Sequence, residues 1–155
     1  MLSDLLKGAD LSGANLAGAK LTNAILTEAN LHEANLPHAD LSLAKLERAT
    51  MTACDLTGAN LTRAIMSKAK LANSNLSYAD LTNARMHHAD LTRTILCYSI
   101  MVGVELIEAH LAKTDLEDAN LTNANLMRAE LSSASMVGAI LTGAKMPDGR
   151  IYASV

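Results

Sequence analysis

Residues 9–33 read ADLSG-ANLAG-AKLTN-AILTE-ANLHE, five consecutive pentapeptides with Leu at the third position of each. The spacing continues along the chain, because every fifth residue from Leu6 to Ile151 is Leu, Met or Ile, thirty positions without a slip. We call these residues the central positions. Ala stands two residues before 22 of them, and Asp or Asn stands directly before 13. This period of five governs most of the 155 residues.

Neither a regular helix nor a straight strand accommodates a period of five. In an α-helix five residues advance about 500°, so successive central side chains would spiral around the axis. In a straight strand they would alternate between the two faces. The chain must therefore turn a corner once in each pentapeptide, with the central and Ala side chains inside and the residue between them outside. The period predicts an all-β solenoid.

The number of corners in one coil follows from residues that replace Ala at the inward position. Four of them are twenty residues apart, as if stacked in one column: Cys54, Ser74, Thr94 and Thr114. A spacing of fifteen gives no comparable column. Thirty pentapeptides at four per coil make about 7.5 coils. With strands about 4.8 Å apart, the rod would be roughly 36 Å long.

Units such as Ala9–Gly13 and Ala79–Asn83 resemble the A-[DN]-L-x-x unit of the pentapeptide repeat family, over about residues 4–151. The Leu- and Ala-rich, Phe-free composition is similar to that of the cyanobacterial members. The resemblance implies a right-handed quadrilateral β-helix with Leu or Met at the centre and Ala lining the corners. We therefore expect residues 1–155 to form a single solenoid domain.

Short caps are expected at both ends, residues 1–3 and 152–155. Met1–Leu5 is expected to fold over the first coil. Pro147, Asp148 and Gly149 form a turn signal that should close the repeats. Ile151 and Tyr152 can then cover the last layer.

One stretch, residues 94–107, keeps its central positions but places large apolar residues where side chains should face out. These are Ile95, Tyr98, Ile100, Val102 and Ile107, and Tyr78 should stack on Tyr98 from the preceding coil. One interpretation is an apolar belt that contacts a partner or a second copy. The other is a local change of turn type, in which bulkier residues fill a wider corner.

A charged column is also expected at one set of turns, where residues twenty apart lie about 5 Å from each other. It contains Glu28, Arg48, Lys68, His88, Glu108, Arg128 and Asp148. The opposite charges Glu28–Arg48, Glu108–Arg128 and Arg128–Asp148 should form weak ion pairs, each below about 1 kcal/mol.

The residue types give no support to an enzyme, a metal site or a cofactor site. His87 and His88 are predicted to diverge around a corner, and the other three His residues to lie in other coils or on other faces. No metal-ligand spacing occurs. Cys54 should point inward and Cys97 outward, too far apart for a disulfide. We therefore predict no catalytic, cofactor-binding or metal-binding residue.

Thirteen Lys and Arg against sixteen Asp and Glu give a net charge of −3, which excludes the basic footprint of direct nucleic-acid binding. No apolar run is long enough for a membrane span, and no signal peptide is evident, so a cytoplasmic location is expected.

Two functions are consistent with this sequence. The first is a rigid, non-enzymatic scaffold for an unknown protein partner, with a homodimer or end-to-end stacking also open. The second comes from the family resemblance: the quinolone-resistance members mimic DNA and inhibit DNA gyrase. A mimic of a duplex about 36 Å long should replace roughly 20 negative charges, which the net charge here does not approach.

Overall fold

A computed structural model describes residues 6–153 of the chain. In this part no residue is helical, and the β-structure consists of isolated one-residue bridges, with no longer strand. The bridging residue is the one directly before each central position, from Asp10 to Lys145, and again Ile151. Two turn residues follow each central position as far as Met146. Each pentapeptide is therefore one short extended step and one turn.

The bridges stack the chain on itself with a spacing of twenty residues. Twenty-four parallel bridges run from Asp10–Asn30 to Asn125–Lys145, and each joins residues twenty positions apart. The spacing of twenty that the columns predicted is therefore confirmed as the spacing of paired residues. The bridges form four columns, which define four faces: face 1 from Asp10, face 2 from Asn15, face 3 from Lys20 and face 4 from Ile25.

One turn geometry recurs along the repeats. The N–H of the residue three positions after a central residue donates to its carbonyl, as Ala9 does to Leu6 at 3.1 Å. The exception is Cys54, whose N–H donates to the Oγ of Ser74 at 3.0 Å. The second turn residue has a positive φ, as in Tyr98 at 59°. This combination defines a type II turn, in which glycine usually occupies the residue with positive φ. Here 21 of the residues with positive φ are not glycine.

Pairing between coils holds these left-handed residues in place. The N–H of Tyr98 donates to the carbonyl of Glu117 at 2.9 Å, and the N–H of Glu28 donates to that of Glu47 at 2.9 Å. Because an L-residue in this conformation costs about 1–2 kcal/mol, the regular ladder must offset that cost at each turn.

The central side chains fill the interior. Every central residue from Leu26 to Leu126 is fully buried, and Ala lies beside most of them. Leu6, Leu11, Leu16 and Leu21 near one end, and Leu131 and Leu141 near the other, are only partly buried. The core is therefore completely enclosed in the middle coils and thinner toward the ends of residues 6–153.

The column that replaces Ala forms a polar line inside the core, beneath face 2. The hydroxyls of Ser74, Thr94 and Thr114 donate to the carbonyls of Met51, Leu71 and Leu91 at 2.6, 2.9 and 2.7 Å. The thiol of Cys54 donates to the carbonyl of Leu31 at 2.8 Å. Each polar group is thus bonded to a central residue of the preceding coil, which makes its burial tolerable.

The preference for Asp or Asn before the central position has a local cause. In 12 of the 13 cases its side-chain oxygen accepts a hydrogen bond from the N–H two residues later, as Asp10 does from Ser12 at 3.1 Å. This is an Asx turn, which satisfies a backbone donor at the corner. The exception is Asn35, because Pro37 follows it and has no N–H.

The chain reverses near its C-terminal end, as predicted from Pro147–Gly149. The N–H of Gly149 donates to the carbonyl of Met146 at 2.8 Å, and Ile151 forms an antiparallel bridge with Lys145. Ile151 and Tyr152 pair beside the last coil, and their side chains remain 63% and 46% exposed. They therefore cover the last layer only in part. The cap predicted from Met1–Leu5 lies outside the described residues.

Candidate interaction surface

The backbone of the 94–107 stretch does not differ from that of the other pentapeptides. Tyr98, Gly103 and Glu108 have φ of 59°, 66° and 56°, within a few degrees of the other turns. The turn bonds from Ser99 to Leu96 and from Val104 to Met101 are both 3.2 Å long. The interpretation as a change of turn type is therefore wrong, and the bulky outward side chains need another explanation.

Four of the six predicted belt residues lie around a single corner. Ile95 lies on face 2 between Asn75 and Asp115, and Ile100 lies on face 3 between Asp80 and Asn120. Tyr78 and Tyr98 occupy the turn between the two faces. The exposed fractions of Ile95, Tyr98, Ile100 and Tyr78 are 43%, 48%, 44% and 62%. We call these four residues the apolar corner.

The two remaining belt residues are less accessible. Val102 follows Ile100 on face 3 and is half-buried. Ile107 is also half-buried and lies on face 4, which the order of the four columns places opposite face 2. The predicted belt is therefore an exposed corner of four residues, and its two remaining residues, Val102 and Ile107, are less exposed.

The two tyrosines stack as the spacing predicted. Their ring centroids are 5.1 Å apart and their planes differ by 7°. Stacking of this kind holds two large side chains in one mutual orientation, because stacked rings attract each other. The pair therefore presents a rigid aromatic surface.

Acidic residues of the next coil border the corner. Asp118 and, to a lesser extent, Glu117 raise the pKa of Tyr98 above its usual value by their negative charges. Partial burial, together with Asp115 and Glu117, raises the pKa of Cys97 to about 11. Cys97 is consequently a neutral thiol at physiological pH and a poor nucleophile.

The charged column forms two of its three predicted ion pairs. Arg48 lies 3.2 Å from Glu28 and Arg128 lies 3.1 Å from Glu108. The predicted pair Arg128–Asp148 is wrong, since Asp148 lies 3.5 Å from Arg150 instead. The reason is local: the chain leaves the repeat at Pro147, and the turn that follows brings Arg150 next to Asp148.

Four of the five histidines, His32, His87, His88 and His110, contact acidic or hydroxyl groups. His87 lies 2.6 Å from Glu105, whereas His88 lies 3.3 Å from Glu108, so the two neighbours do point apart. Within residues 6–153 no three His, Cys, Asp or Glu side chains are grouped as metal ligands would be. Cys54 is buried, Cys97 is half-buried, and both are free thiols.

The sequence matches the profile of the family described as pentapeptide repeats, in eight copies over residues 5–42, 39–77, 66–96, 74–111 and 105–143. The chain belongs to the pentapeptide repeat family. Its parallel bridges and repeated turns agree with that assignment. No curated protein shows significant similarity to it.

Two solved structures of cyanobacterial pentapeptide repeat proteins are similar to this chain. HetL of Nostoc sp. strain PCC 7120, a protein involved in the regulation of heterocyst differentiation, is 32% identical over 94% of this chain and 88% of its own, with a TM-score of 0.43. Rfr23 of Cyanothece 51142 is 35% identical over 60% of this chain and 63% of its own, with a TM-score of 0.57.

A third similar structure is QnrB1, a plasmid-mediated fluoroquinolone resistance protein. It is 22% identical over 84% of this chain and 75% of its own, with a TM-score of 0.47. At this identity the likeness concerns the fold alone.

In the part of this pentapeptide repeat chain that the structure describes, no helix is long and apolar enough to cross a membrane.

The sequence analysis missed a second exposed apolar group near the end of the repeats. Val137 and Ile140 are exposed on faces 2 and 3, close in the chain to Ile151 and Tyr152. The signal was present, because both occupy outward positions of the pentapeptide, as Cys97 and Ile100 do. Both residues lie where the repeats end and the central residues Leu131, Met136 and Leu141 are only partly buried.

Proposed function

We propose that this pentapeptide repeat protein is a rigid, non-enzymatic scaffold that binds a protein partner through the apolar corner. The observation that carries the proposal is the exposure of four large apolar side chains at one corner whose backbone is the same as everywhere else. Since the fold does not require them there, an interaction is the simplest reason for their presence.

The scaffold is proposed to be one domain over residues 1–155, a right-handed quadrilateral β-helix of about 7.5 coils. Family membership and the four bridge columns support this geometry. The completely buried middle coils support rigidity, because a close-packed interior has low compressibility. The free thiols are consistent with a cytoplasmic location.

Desolvation of the corner supplies a plausible driving force. At about 25 cal/mol per Å², burial of three such side chains contributes on the order of 3–6 kcal/mol before the costs of association. That range is typical of a small cluster of interface residues that dominates binding.

Affinity capture from the native cell tests the proposal with a matched pair of variants. The Ile95→Asp/Ile100→Asp protein should lose the partner that the unchanged chain retains. Ile65→Asp occupies the same pentapeptide position on face 4 and should retain it. Each captured candidate is then purified and its affinity measured against all three proteins. Equal binding to all three would refute the proposal.

The DNA-mimic alternative has less support. A gyrase inhibitor of that kind needs a continuous negative surface, whereas the pentapeptide repeats here place Arg48, Lys68 and Arg128 along one column of turns. A supercoiling assay decides the matter: inhibition of DNA gyrase at low micromolar concentrations of the chain would reverse this ranking.

A further inference from the structure

Positive charge is distributed very unevenly around the rod. Face 2 and the turn that follows it contain no Lys or Arg in any of the seven coils that the bridges define. The corresponding positions of face 4 contain six: Lys45, Arg48, Lys68, Arg85, Arg128 and Lys145. The cations closest in sequence to face 2, Arg93 and Lys113, lie at the turn that precedes it. The apolar corner therefore adjoins a face without cations.

Within the described part of the chain, the acidic residues of face 2 and of the turn after it have no ion-pair partner. Among residues 6–153, no Lys, Arg or His nitrogen lies within 4.0 Å of the carboxylates of Asp55, Asp115, Glu117 or Asp118. By contrast, Glu28 and Glu108 of the charged column are paired with arginines at 3.2 and 3.1 Å. Three of the unpaired carboxylates belong to the coil directly above Ile95 and Tyr98.

Aromatic rings and carboxylates are adjacent at this corner. Asp118 occupies the position twenty residues after Tyr98, and its charge acts on the phenol strongly enough to raise the pKa of that group. A guanidinium or ammonium group placed there could contact an exposed ring and pair with the carboxylate at the same time. The neighbouring isoleucines would accept aliphatic side chains.

We propose that the apolar corner binds a segment of another protein in which arginine or lysine residues are interspersed with aliphatic residues. This inference rests on the proposed function and specifies the chemistry of its partner. The aliphatic residues lie on Ile95 and Ile100, and the cations lie against the tyrosine pair and the carboxylates of Asp115, Glu117 and Asp118. Charge complementarity selects such a segment over an acidic one.

A second copy of the chain is a weaker candidate occupant. Its cationic face 4 would have to supply the positive charge, but Arg48, Arg85 and Arg128 of that face are already paired with glutamates at 3.2, 3.7 and 3.1 Å. Association of two copies would have to disrupt those pairs or rely on Lys45, Lys68 and Lys145, which form no ion pair within residues 6–153.

The test measures the binding of labelled synthetic peptides to the full chain by fluorescence anisotropy. The first peptide alternates arginine and valine, the second alternates arginine and serine, and the third alternates glutamate and valine. We expect the first to bind at least about tenfold more tightly than either other peptide, as for an interface in which both apolar and charged contacts contribute.

Two variants separate apolar docking from simple attraction to an acidic protein. Ile95→Asp/Ile100→Asp adds negative charge, so attraction alone would strengthen binding of the arginine–valine peptide, whereas docking at the corner predicts a loss of about tenfold or more. Asp115→Asn/Glu117→Gln/Asp118→Asn should weaken binding and reduce its dependence on salt. Ile65→Asp on face 4 should bind as the unchanged chain does. Circular dichroism confirms that each variant is folded.

Other outcomes would overturn this inference. Equal affinity for the arginine–valine and glutamate–valine peptides would do so, as would unchanged binding by both Ile95→Asp/Ile100→Asp and Asp115→Asn/Glu117→Gln/Asp118→Asn. Light scattering that reveals a dimer sensitive to Ile95→Asp/Ile100→Asp would identify a second copy as the occupant. In those cases the proposed function can still hold. It is refuted only if the Ile95→Asp/Ile100→Asp protein captures the same partners as the unchanged chain.

Discussion

Tyr78 and Tyr98 of the apolar corner occupy the same pentapeptide position as the charged column, but at the opposite turn of each coil. Tyr78 and Tyr98 have φ of 61° and 59°, while Arg48 and Arg128 have φ of 57° and 58°. The backbone is therefore the same in both places, and only the outward side chains differ. The comparison teaches that the inward residues determine the shape and leave the outward residues free to determine what the surface binds.

The largest expected effect comes from the core that both surfaces share. Leu96 lies beneath the apolar corner and Leu106 lies beneath the charged column, and both residues are fully buried. Leu96→Ala and Leu106→Ala should each lower the free energy of unfolding by about 2–5 kcal/mol, because a cavity remains where the side chain was. Urea denaturation measures both. A loss at only one of the two positions would contradict a shared core.

A smaller effect is expected from the polar line that only face 2 has beneath it. Thr114→Val removes the hydrogen bond to the carbonyl of Leu91, which still accepts the N–H of Thr94 at 3.0 Å. The expected loss is about 0.5–1.5 kcal/mol of unfolding free energy. A gain in stability for Thr114→Val would mean that the polar line does not stabilise the stack.

The two surfaces should also differ in their response to salt. A double-mutant cycle on Tyr78 and Tyr98 should give a coupling of about 0.5–1.5 kcal/mol that salt leaves unchanged. The same cycle on Glu108 and Arg128 should give about 0.2–1 kcal/mol and decrease as salt is added. Equal salt dependence of the two couplings would show that the tyrosine pair is not held by stacking.

The smallest effect concerns a single ionisation. Asp118→Asn removes the charge that contributes most to the raised pKa of Tyr98, so this phenol should ionise at a lower pH. The ultraviolet absorbance of the phenolate during an alkaline titration measures the change, with Tyr98→Phe identifying the signal. Stability at neutral pH should hardly change, because Tyr98 is uncharged there in both proteins. An unaltered titration would place Asp118 too far from the ring to matter.

The sequence was sufficient to predict the parts of the fold that the period controls. Central residues point inward, Asp and Asn point outward, and columns such as Cys54 to Thr114 stack at a spacing of twenty. The stacking of Tyr78 on Tyr98 followed from the same spacing. These predictions succeed because one local geometry is repeated, so that an inference from one pentapeptide applies to all.

The errors occurred where the outcome depends on more than position in the repeat. A change of turn type at residues 94–107 seemed reasonable because bulky residues are unusual there, but the pairing of neighbouring coils keeps the turn the same. The pair Arg128–Asp148 failed because Asp148 lies after Pro147, where the period no longer describes the chain. That the carboxylates of face 2 form no ion pair among residues 6–153 could be found only from the distances between side chains.

The spacing of twenty between paired residues has a consequence for insertions and deletions. Removal of twenty consecutive residues from the middle would shorten the rod by one coil and leave every later side chain on its own face. Removal of only five, such as residues 84–88, would preserve the core but shift all later residues to the preceding face. Tyr98 would then lie over Asn73 instead of Tyr78. Changes in gene length that preserve this surface therefore come in units of sixty nucleotides.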